Sequence, residues 1–372
     1  MQVNIIEPMS KHGKVLVAMS GGIDSTVTAM LMHEKGYEVV GITMKTWDYA
    51  GSGGSKKETG CCSLDSINDA REVSVDMGFH HFIIDIREEF GDYVIDDFVE
   101  EYIAGRTPNP CILCNTHIKW SALLKRADAL DCEFIATGHY ARIKHEDNRY
   151  FISKAVDPRK DQSYVLWGLD QDCMARTRFP LADFTKDEIR QMAADRGYEA
   201  LSKKPESYEI CFVPDNDYRS FLKRRVPGLQ EEVAGGTFID KDGNLLGHHD
   251  GYPFYTIGQR KGLGGGFLTP KYVTDIRPAD NVVVLGEVED LMRNGMYVGD
   301  INLQKYTEIT PGMEATTMVR YNSAGTLAQI FPEGQEIRTE FMANVRGIAP
   351  GQSAVWYDGD DVIGGGRITR SI

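Results

Sequence analysis

Three cysteines are the side chains of this 372-residue chain whose spacing is best suited to chemistry. Two of them, Cys111 and Cys114, form a C-x-x-C pair in a proline-bounded loop. Cys211 stands far along the chain in the motif Glu-Ile-Cys-Phe. Prolines restrict the backbone, so a thiol in this loop loses little freedom when the loop is ordered. A C-x-x-C pair is typical of metal ligation or of a redox-active dithiol, and a lowered thiol pKa would make either cysteine a nucleophile.

Structural zinc is an alternative interpretation of these cysteines. Zinc normally has four protein ligands, and no second C-x-x-C follows the first. Cys61 and Cys62 could contribute, but adjacent cysteines rarely ligate one ion together. Cys132 and Cys173 lie in apolar or helical surroundings and are predicted to be packed thiols. We therefore rank zinc below nucleophilic chemistry.

A second candidate site is the segment Ser-Gly-Gly-Ile-Asp-Ser at residues 20–25. It lies between a predicted buried strand at 15–19 and a predicted helix at 26–34, where backbone N–H groups and the helix dipole can hold an anion. The glycines let the backbone approach phosphate oxygens, the serines add donors, and Asp24 could hold Mg²⁺ against the phosphates. The segment lacks the lysine of a Walker loop and the spacing of a dinucleotide fingerprint. A simple tight turn is the alternative.

Alternating elements in the first third must position these residues. Apolar runs at 37–44, 80–86 and 134–139 predict further strands, and 66–77 predicts an amphipathic helix. Such alternation is typical of a mainly parallel sheet covered by helices. The segment 88–101 carries seven carboxylates and no basic residue, which predicts a solvated helix face.

The composition changes after about residue 225. From residue 235 onward, short apolar or alternating segments stand between Gly, Pro, Asp and Asn turns, which predicts all-β structure. These segments are 282–285, 314–319, 327–331, 337–342 and 354–357. A break near 290–299 would separate a small linker domain from a C-terminal barrel.

The charge balance of 41 basic and 55 acidic residues gives −14, which alone speaks against a polyanionic partner. The basic residues are clustered, however: 219–225 contains four, and Arg260, Lys261 and Arg320 add others. This distribution permits an RNA held by a few basic strips, with a moderate salt dependence that is lost when residues 223–225 are neutralised. The chain has no apolar stretch of about 18 residues and no secretory h-region, so a cytoplasmic protein without a membrane span is predicted.

Several motifs, in the same order, give the chain a resemblance to a known family. The loop at 20–25 resembles the pyrophosphatase loop of the N-type ATP pyrophosphatases. The further motifs are T-P-N-P-x-x-x-C-N at 107–115, A-T-G-H-Y at 136–140, K-D-Q-S-Y at 160–164, E-I-C-F at 209–212, Y-T-I-G-Q-R-K-G-L at 255–263 and P-G-Q-S-A-V-W-Y at 350–357. The whole set closely resembles the bacterial tRNA-specific 2-thiouridylases.

The resemblance implies an α/β fold in three domains. Residues 1–218 would form a Rossmann-like catalytic domain of the PP-loop (adenine nucleotide alpha hydrolase) type with a parallel sheet. Residues 219–290 would form a small central tRNA-binding domain that contains β-structure, and residues 291–372 a C-terminal β-barrel. The implied activity is the 2-thiolation of uridine 34 in tRNAs for Lys, Glu and Gln, with ATP and Mg²⁺. The implied partners are the tRNA anticodon stem-loop and a protein that donates persulfide sulfur, and the chain would be a monomer.

The resemblance also assigns residues to ligands. ATP contacts fall on Ala18, Met19, Ser20, Gly21, Gly22, Ile23, Asp24, Ser25, Met44 and Gly138. Contacts to tRNA fall on Asn109, Pro110, Cys111, Lys160, Asp161, Gln162, Arg320 and Tyr321. In the implied mechanism ATP adenylates O2 of the uridine, and Cys211 delivers sulfur to C2 as a persulfide. Cys114 is the nucleophile that attacks this persulfide, releasing hydrosulfide or ending in a disulfide with Cys211 that a reductant clears.

Cys111 departs from the family pattern, in which many members carry an aspartate with a base-contacting or general-base role. Cys111, Cys114 and Cys211 could instead hold a [4Fe–4S] cluster whose fourth iron binds sulfide. We rank the persulfide ahead of the cluster. Two rival functions are an amide-forming PP-loop synthetase, which would need an ammonia source, and a non-catalytic RNA-binding protein. His139 is predicted to position the nucleotide-binding turn, not to act as an acid or base.

Overall fold

The computed structural model describes residues 11–47, 63–204, 210–213, 215–264 and 266–372. The glycine-rich segment 51–54, Cys61, Cys62 and Glu209 lie outside the described residues. The chain forms two compact units, which we call the first and the second unit. The first consists of Met1–Phe90, Thr116–Ser163 and Asp170–Pro214, and the second of Gly91–Asn115, Tyr164–Leu169 and Asp215–Ile372.

The elements follow in chain order. The strands are β1 Lys14–Ala18, β2 Glu38–Lys45, β3 His80–Asp85, β4 Phe134–Ala136, β5 Ala141–Glu146, β6 Arg149–Lys154, β7 Thr177–Arg178, β8 Gly236–Ile239, β9 Leu245–His249, β10 Tyr272–Arg277, β11 Val282–Gly286, β12 Met292–Leu303, β13 Met313–Met318, β14 Thr326–Glu333, β15 Glu336–Arg346, β16 Ser353–Asp358 and β17 Asp361–Ser371. The helices are α1 Ile23–Glu34, α2 Leu64–Met77, α3 Arg87–Phe90, α4 Asp96–Ile103, α5 Pro110–Leu113, α6 Trp120–Ala129, α7 Gln171–Arg176, α8 Lys186–Asp195, α9 Glu199–Ser202, α10 Tyr218–Arg225 and α11 Leu229–Glu232. In the described part of the chain no helix has the length and apolar character needed to span a bilayer.

Strand β1 lies at the centre of a parallel five-stranded sheet in the first unit, in the order β3-β2-β1-β4-β7. Residues 15–17 of β1 are fully buried, which explains their continuous apolar run. The chain order reverses between β1 and β4, and ligands of open parallel sheets bind outside the carboxyl ends of the strands at such a point. The segments 19–25 and 137–139 follow these two strands. The predicted helix-covered parallel sheet is confirmed.

The end of β4 differs from the prediction. The strand spans Phe134–Ala136 and does not continue to residue 139. Beyond it the backbone packs against the start of α1, where a Cβ atom on Gly138 would lie 2.9 Å from the carbonyl carbon of Asp24. This close approach takes the chain out of the strand ladder and places it beside the loop after β1.

The prediction of a solvated acidic face at 88–101 is wrong for part of the segment. The segment forms α3, a π-helical turn and α4, and Glu101 on α4 is buried. Glu101 pairs with Arg106 and Arg367, and Asp97 pairs with Arg367. The arginines that neutralise these carboxylates come from outside the acidic segment, so the local composition did not indicate them.

The second unit contains a small sheet and a barrel. The sheet has the order β10-β11-β8-β9. The barrel has the order β12-β15-β14-β13-β16-β17 and closes because β12 also pairs with β17. Closure leaves no strand edge exposed along the barrel. The all-β prediction beyond residue 235 is confirmed, and the segment expected as a break at 290–299 contains the start of β12.

Candidate active site

The loop that follows β1 carries the residues predicted to bind phosphate. Ala18 ends the strand, and the N–H of Met19 donates a hydrogen bond to the carbonyl of Ile42 at 2.7 Å. Helix α1 begins at Ile23, so the N–H groups of its first turn have no acceptor inside the helix. A helix start of this kind, at the carboxyl end of a central strand, is suited to binding an anion, because its free N–H groups and the helix dipole both favour negative charge.

Hydroxyl groups fix the shape of this loop. The Ser25 Oγ accepts a hydrogen bond from the Ser20 N–H at 3.1 Å and donates to the Gly22 carbonyl at 3.0 Å. The Ser20 Oγ lies 3.3 Å from the Ser25 Oγ. The Ser25 hydroxyl therefore stabilises the loop itself, a role that the sequence did not indicate.

Two glycines allow the backbones around the loop to approach closely. Gly21 has a φ of +66°, and a Cβ there would lie 1.9 Å from the carbonyl oxygen of Ser66. A Cβ on Gly138 would lie 3.0 Å from the backbone nitrogen of Ser25. Glycine is required at Gly21 by conformation and by contact, and at Gly138 by contact alone.

The Asp24 carboxylate is held by two groups from distant parts of the first unit. The Lys186 Nζ donates to both carboxylate oxygens at 2.8 Å, and the Tyr140 hydroxyl donates to Oδ1 at 2.7 Å. Lys186 is only 4% exposed. Because an ammonium group already neutralises the carboxylate, these residues do not fit the predicted Mg²⁺ site at Asp24.

Lys186 is a residue that the sequence analysis missed. It stands 162 residues from Asp24, and no local pattern indicates such a pairing. It opens α8, where Thr185 and Glu188 form a capping box, so the T-x-x-E motif could have located the helix start. Its backbone N–H donates to Asp157 at 3.0 Å, and hydrogen bonds from the neighbouring arginine lower the pKa of that carboxyl to about 2. The lysine is thus fixed at its backbone as well as at its ammonium group.

Strand β2 supports the same loop from the other side. The Thr43 hydroxyl donates to the Met19 carbonyl at 2.7 Å, and the His81 Nε2 lies 2.8 Å from the Thr43 oxygen. Since the hydroxyl hydrogen is engaged, we assign the proton of His81 to Nε2. Burial lowers the pKa of His81, which favours this neutral form. Met44, predicted to contact ATP, is the next residue of β2 and is half-buried.

His139 is placed as a packing residue of the turn after β4. Its ring centroid lies 5.4 Å from that of Trp120 and 5.9 Å from that of Phe179, and Nδ1 lies 2.8 Å from the Thr137 hydroxyl. Removal of water by these neighbours lowers the pKa of His139 to about 3. The imidazole is therefore neutral at pH 7, as expected of a positioning residue.

The segment 160–162, predicted to contact tRNA, lies against Tyr140. The Tyr140 N–H donates to the Gln162 Oε1 at 2.9 Å, and the Gln162 N–H donates to the Tyr140 carbonyl at 2.8 Å. Tyr140 also binds Asp24, so this segment and the loop after β1 share one residue. The first unit therefore brings part of the predicted RNA site to the predicted ATP site.

Asp161 and Lys160 have different surroundings in this turn. Asp161 accepts hydrogen bonds from the Ala155 N–H at 2.9 Å and from the Ser163 hydroxyl at 2.6 Å. Burial raises the pKa of Asp161. Lys160 is half-buried. Asp161 thus shapes the turn from within.

In the second unit, Cys111 and Cys114 differ in their exposure to solvent. Asn109 precedes the single-turn helix α5, and Pro110 is its first residue, where a missing N–H costs nothing. Cys111 is exposed on this turn, whereas Cys114 is only 5% exposed. Solvent therefore reaches the first thiol of the C-x-x-C pair much more readily than the second.

Cys211 belongs to the first unit and is half-buried. Its neighbour Phe212 is buried, with its ring centroid 5.8 Å from that of Phe90 and 6.4 Å from that of Trp47. These aromatic contacts anchor the residue next to the thiol.

The remaining described cysteines are poor nucleophiles. Burial raises the pKa of Cys132 to about 11 and that of Cys173 to about 12. A thiol with such a pKa carries little thiolate at pH 7. The interpretation of both as packed thiols agrees with these surroundings.

A metal ion or cluster needs several ligating side chains close together. Among the described residues, no group of three or more His, Cys, Asp or Glu side chains is placed to hold a metal ion. Cys111 and Cys114 belong to the second unit and Cys211 to the first. The choice between a persulfide and a [4Fe–4S] cluster on these three cysteines therefore stays a prediction.

Arg320 and Tyr321, predicted to contact tRNA, lie at the end of barrel strand β13. The Arg320 Nη2 donates to the carbonyls of Arg346 and Gly347, the latter at 3.0 Å, so the guanidinium holds a neighbouring turn. Tyr321 is 40% exposed, and its ring centroid lies 6.1 Å from that of Tyr164. The Tyr321 ring is thus partly exposed, while part of the Arg320 guanidinium is engaged inside the chain.

The basic strip at 219–225 lies on α10 and is partly neutralised. Arg225 pairs with Asp96 at 2.8 Å. The Arg224 guanidinium lies 3.9 Å from a carboxylate oxygen of Asp215. By contrast, the Lys223 ammonium lies 4.8 Å from the centroid of the Phe254 ring. Only part of the predicted charge is therefore available to a polyanion.

A cleft of about 530 Å³ lies beside the glycine-rich loop that precedes β10. Arg260, Phe267 and Lys271 contribute two cations and an aromatic ring to its lining. Within the described ranges, Arg260 and Lys261 take part in no ion pair. This loop therefore presents more uncompensated positive charge than the strip on α10.

Comparison with known proteins identifies the family. Models described as "tRNA methyl transferase HUP domain", "tRNA methyl transferase PRC-barrel domain" and "Aminomethyltransferase beta-barrel domain" match residues 13–215, 219–287 and 293–368. The "tRNA-specific 2-thiouridylase MnmA" of Amoebophilus asiaticus is 61% identical over 97% of this chain and 96% of its own length. That of Cytophaga hutchinsonii is 62% identical over 98% and 99%. The chain belongs to the tRNA-specific 2-thiouridylase family.

Membership of the 2-thiouridylase family confirms the predicted fold class, with a HUP domain, a central domain and a C-terminal barrel. Among solved structures, the "Crystal structure of a 4-thiouridine synthetase - RNA complex with bound ATP" is 18% identical, with a TM-score of 0.38. It covers 59% of this chain and 52% of that chain. This likeness is too weak to support a conclusion about the 2-thiouridylase site.

We expect Lys186→Met to lower the free energy of unfolding by about 1–3 kcal/mol, because Asp24 would keep its charge without the ammonium partner. Urea unfolding followed by tryptophan fluorescence measures the change. The matched control is Lys203→Met, which breaks an exposed pair with Glu199 and should cost less than about 0.5 kcal/mol. Equal losses in the two variants would contradict a structural role for Lys186.

We expect the imidazole of His139 to stay neutral between pH 8 and pH 5 in the folded protein. The pKa of about 3 lies below the ordinary value of 6.5, so the unfolded chain binds a proton first as the pH falls. Stability linked to this group is complete above pH 6.5 and is lost below it, by up to about 1.4 kcal/mol per pH unit. Histidine NMR resonances, assigned with His139→Asn, measure the titration. A midpoint above pH 5 would overturn the expectation.

Proposed function

We propose that this chain uses ATP to activate uridine 34 of tRNA and replaces its 2-oxygen with sulfur. The observation that carries this proposal is the identity of 61% over 97% of the chain to a protein named tRNA-specific 2-thiouridylase. Two features of the chain support it. The first is an anion-binding helix start at the strand-order reversal, and the second is a C-x-x-C pair with one exposed thiol.

The first step is adenylation of the base. The backbone N–H groups at the start of α1 would bind the triphosphate, and Gly21 and Gly138 allow the backbones around this loop to approach closely enough to shape it. The uridine O2 attacks the α-phosphorus, and the bond to pyrophosphate breaks. The reaction converts the oxygen into a good leaving group, because it will depart as AMP.

The second step transfers sulfur to the base. The terminal sulfur of a Cys211 persulfide attacks C2, and the C2–O bond breaks with release of AMP. The Cys114 thiolate then attacks the Cys211 sulfur, and the electron pair of the broken S–S bond stays on the thiouridine sulfur. The two cysteines end as a disulfide, so an external dithiol must supply two electrons before the next turnover.

Accessory predictions belong to the same proposal. We propose Mg²⁺ as the companion of ATP, tRNA contacts at 109–111, 160–162 and 320–321, and a persulfide carrier protein as sulfur donor. The domain bounds 1–218, 219–290 and 291–372 are supported by the three regions that the family models match. A monomeric state and a cytoplasmic location stay predictions.

The decisive assay supplies unmodified tRNA, ATP, a dithiol and a persulfide donor, and follows both products. We expect tRNA-dependent pyrophosphate release and, by nucleoside mass spectrometry, 2-thiouridine. Cys114→Ser and Cys211→Ser should lower thiolation by about a hundredfold or more while pyrophosphate release persists. Cys173→Ser is the control, because its thiol is packed and carries little thiolate. Formation of a methylated nucleoside without pyrophosphate would favour methyl transfer, the activity named in the description of the family model, and would overturn the proposal.

A second assay separates the persulfide from the cluster. Protein purified without oxygen is analysed for iron and acid-labile sulfide, and Cys111→Ser is tested for thiolation. We expect no stoichiometric iron and retained activity, because the persulfide route needs only Cys114 and Cys211, whereas a cluster would need Cys111 as a third thiolate ligand. If the wild-type protein contains iron, and Cys111→Ser loses both the iron and the thiolation activity, the cluster mechanism would replace the persulfide mechanism.

If the basic residues of α10 and of the loop at 260–261 bind tRNA, the affinity for tRNA should depend on the salt concentration through these residues. We expect neutralising Lys223, Arg260 and Lys261 to weaken tRNA binding and to reduce the slope of log K against log salt by about 2–3, close to one phosphate contact per cation. Neutralising Arg225 is the control and should change the slope little, because Asp96 already pairs with it. Filter binding between low and moderate salt measures both. An unchanged slope in the triple variant would show that these cations face solvent only.

A further inference from the structure

Residues 104–115, which we call the cysteine loop because they include Cys111 and Cys114, are attached to the barrel within the second unit by hydrogen bonds to their backbone. The Thr107 N–H donates to the Pro350 carbonyl at 2.8 Å. In the other direction, the side-chain amide of Gln352 donates through Nε2 to the carbonyls of Thr107 at 3.1 Å and Pro108 at 2.9 Å. Two consecutive residues just before Asn109 thus have their backbone groups bound by the turn between β15 and β16.

A glycine makes this approach possible. Gly351 has a φ of +91°, and a Cβ there would lie 2.8 Å from the Thr107 carbonyl oxygen and 2.9 Å from the Glu101 Oε2. Any side chain at this position would displace the loop or the buried carboxylate. The turn is itself fixed to β17, because the Gly351 N–H donates to the Ile368 carbonyl at 2.9 Å.

Buried charges join the loop to the same strand of the barrel. The Glu101 carboxylate is 4% exposed and accepts a hydrogen bond from the Arg106 Nε at 2.8 Å. The Arg367 guanidinium, on β17, lies 3.1 Å from Glu101 and donates to Asp97 at 3.1 Å. Arg106 is the residue before Thr107, so one arginine from each side meets the same buried carboxylate.

We propose that the barrel turn at 349–352 and Arg367 position the cysteine loop, and that sulfur transfer depends on this attachment. The contacts end two residues before Pro110, which opens the turn that exposes Cys111 and buries Cys114. Gly351 and Arg367 are positioning residues, since they act through the loop and touch no thiol. The inference rests on the proposed function only in its last step, because the attachment itself can be measured without substrate.

The test uses the full chain carrying Gly351→Ala. Gly334→Ala is the matched control, because it has a φ of +65° and nothing within 4 Å of an added Cβ. Hydrogen exchange followed by mass spectrometry reports residues 104–115, and alkylation with iodoacetamide reports the accessibility of Cys114. We expect about tenfold faster exchange in the loop and faster alkylation of Cys114 in Gly351→Ala alone. Wild-type exchange and alkylation in that variant would overturn the attachment.

The consequence for catalysis is read from the ratio of 2-thiouridine formed to pyrophosphate released. We expect Gly351→Ala to lower this ratio about tenfold, because a small misplacement of a nucleophile is costly. If Gly351→Ala does not fold, Arg367→Met takes its place, with Arg367→Lys as the conservative variant expected to restore part of the ratio. A loosened loop with an unchanged ratio would overturn the catalytic part. Absence of both products in the wild-type protein would refute the proposed function and leave the exchange result standing.

Discussion

The contact between the Lys186 ammonium and the Asp24 carboxylate fixes the centre of the first unit. Both carboxylate oxygens lie 2.8 Å from one nitrogen, and the Tyr140 hydroxyl completes the set. Through these bonds the loop after β1, the turn after β4 and the start of α8 become one arrangement. Tyr140 in turn holds Gln162, so the segment 160–162 is placed by the same interaction. A charge that the loop alone would expose is thereby used to hold three stretches of chain together.

Charge pairing also explains how an acidic chain can carry basic residues that are locally unpaired. The net charge of −14 counts every carboxylate alike. In the second unit, however, Asp97 and Glu101 are matched by arginines, and Asp96 holds Arg225. These pairs neutralise acids and bases of the scaffold together. Within the described residues the cations at 260–261 are not paired in this way, so the net charge of the chain does not describe the charge of this loop.

Periodicity and turn chemistry made the fold predictable. A fully apolar β1, the glycine-rich loop and the regular strand-helix alternation identified the parallel sheet, because these signals are local. The closed barrel followed from short alternating segments in the same way. The end of β4 and the burial of Glu101 were mispredicted, since both depend on residues distant in sequence. Lys186 was not predicted for the same reason, because an ion pair between residues 162 positions apart cannot be recognised from the composition of either segment. The roles assigned to the cysteines came from the family resemblance and stay predictions.

The attachment of the cysteine loop to the barrel has a consequence in time. Gln352 lies 245 residues further along the chain than Thr107, whose carbonyl it binds. At translation rates of about 5–20 residues per second, the ribosome needs roughly 10–50 s to make that interval. During this period the first unit can already complete its sheet, whereas the hydrogen bonds from the barrel turn to Thr107 and Pro108 cannot yet form. In a nascent chain this attachment of the loop with Cys111 and Cys114 is therefore made only after nearly the whole chain has been synthesised.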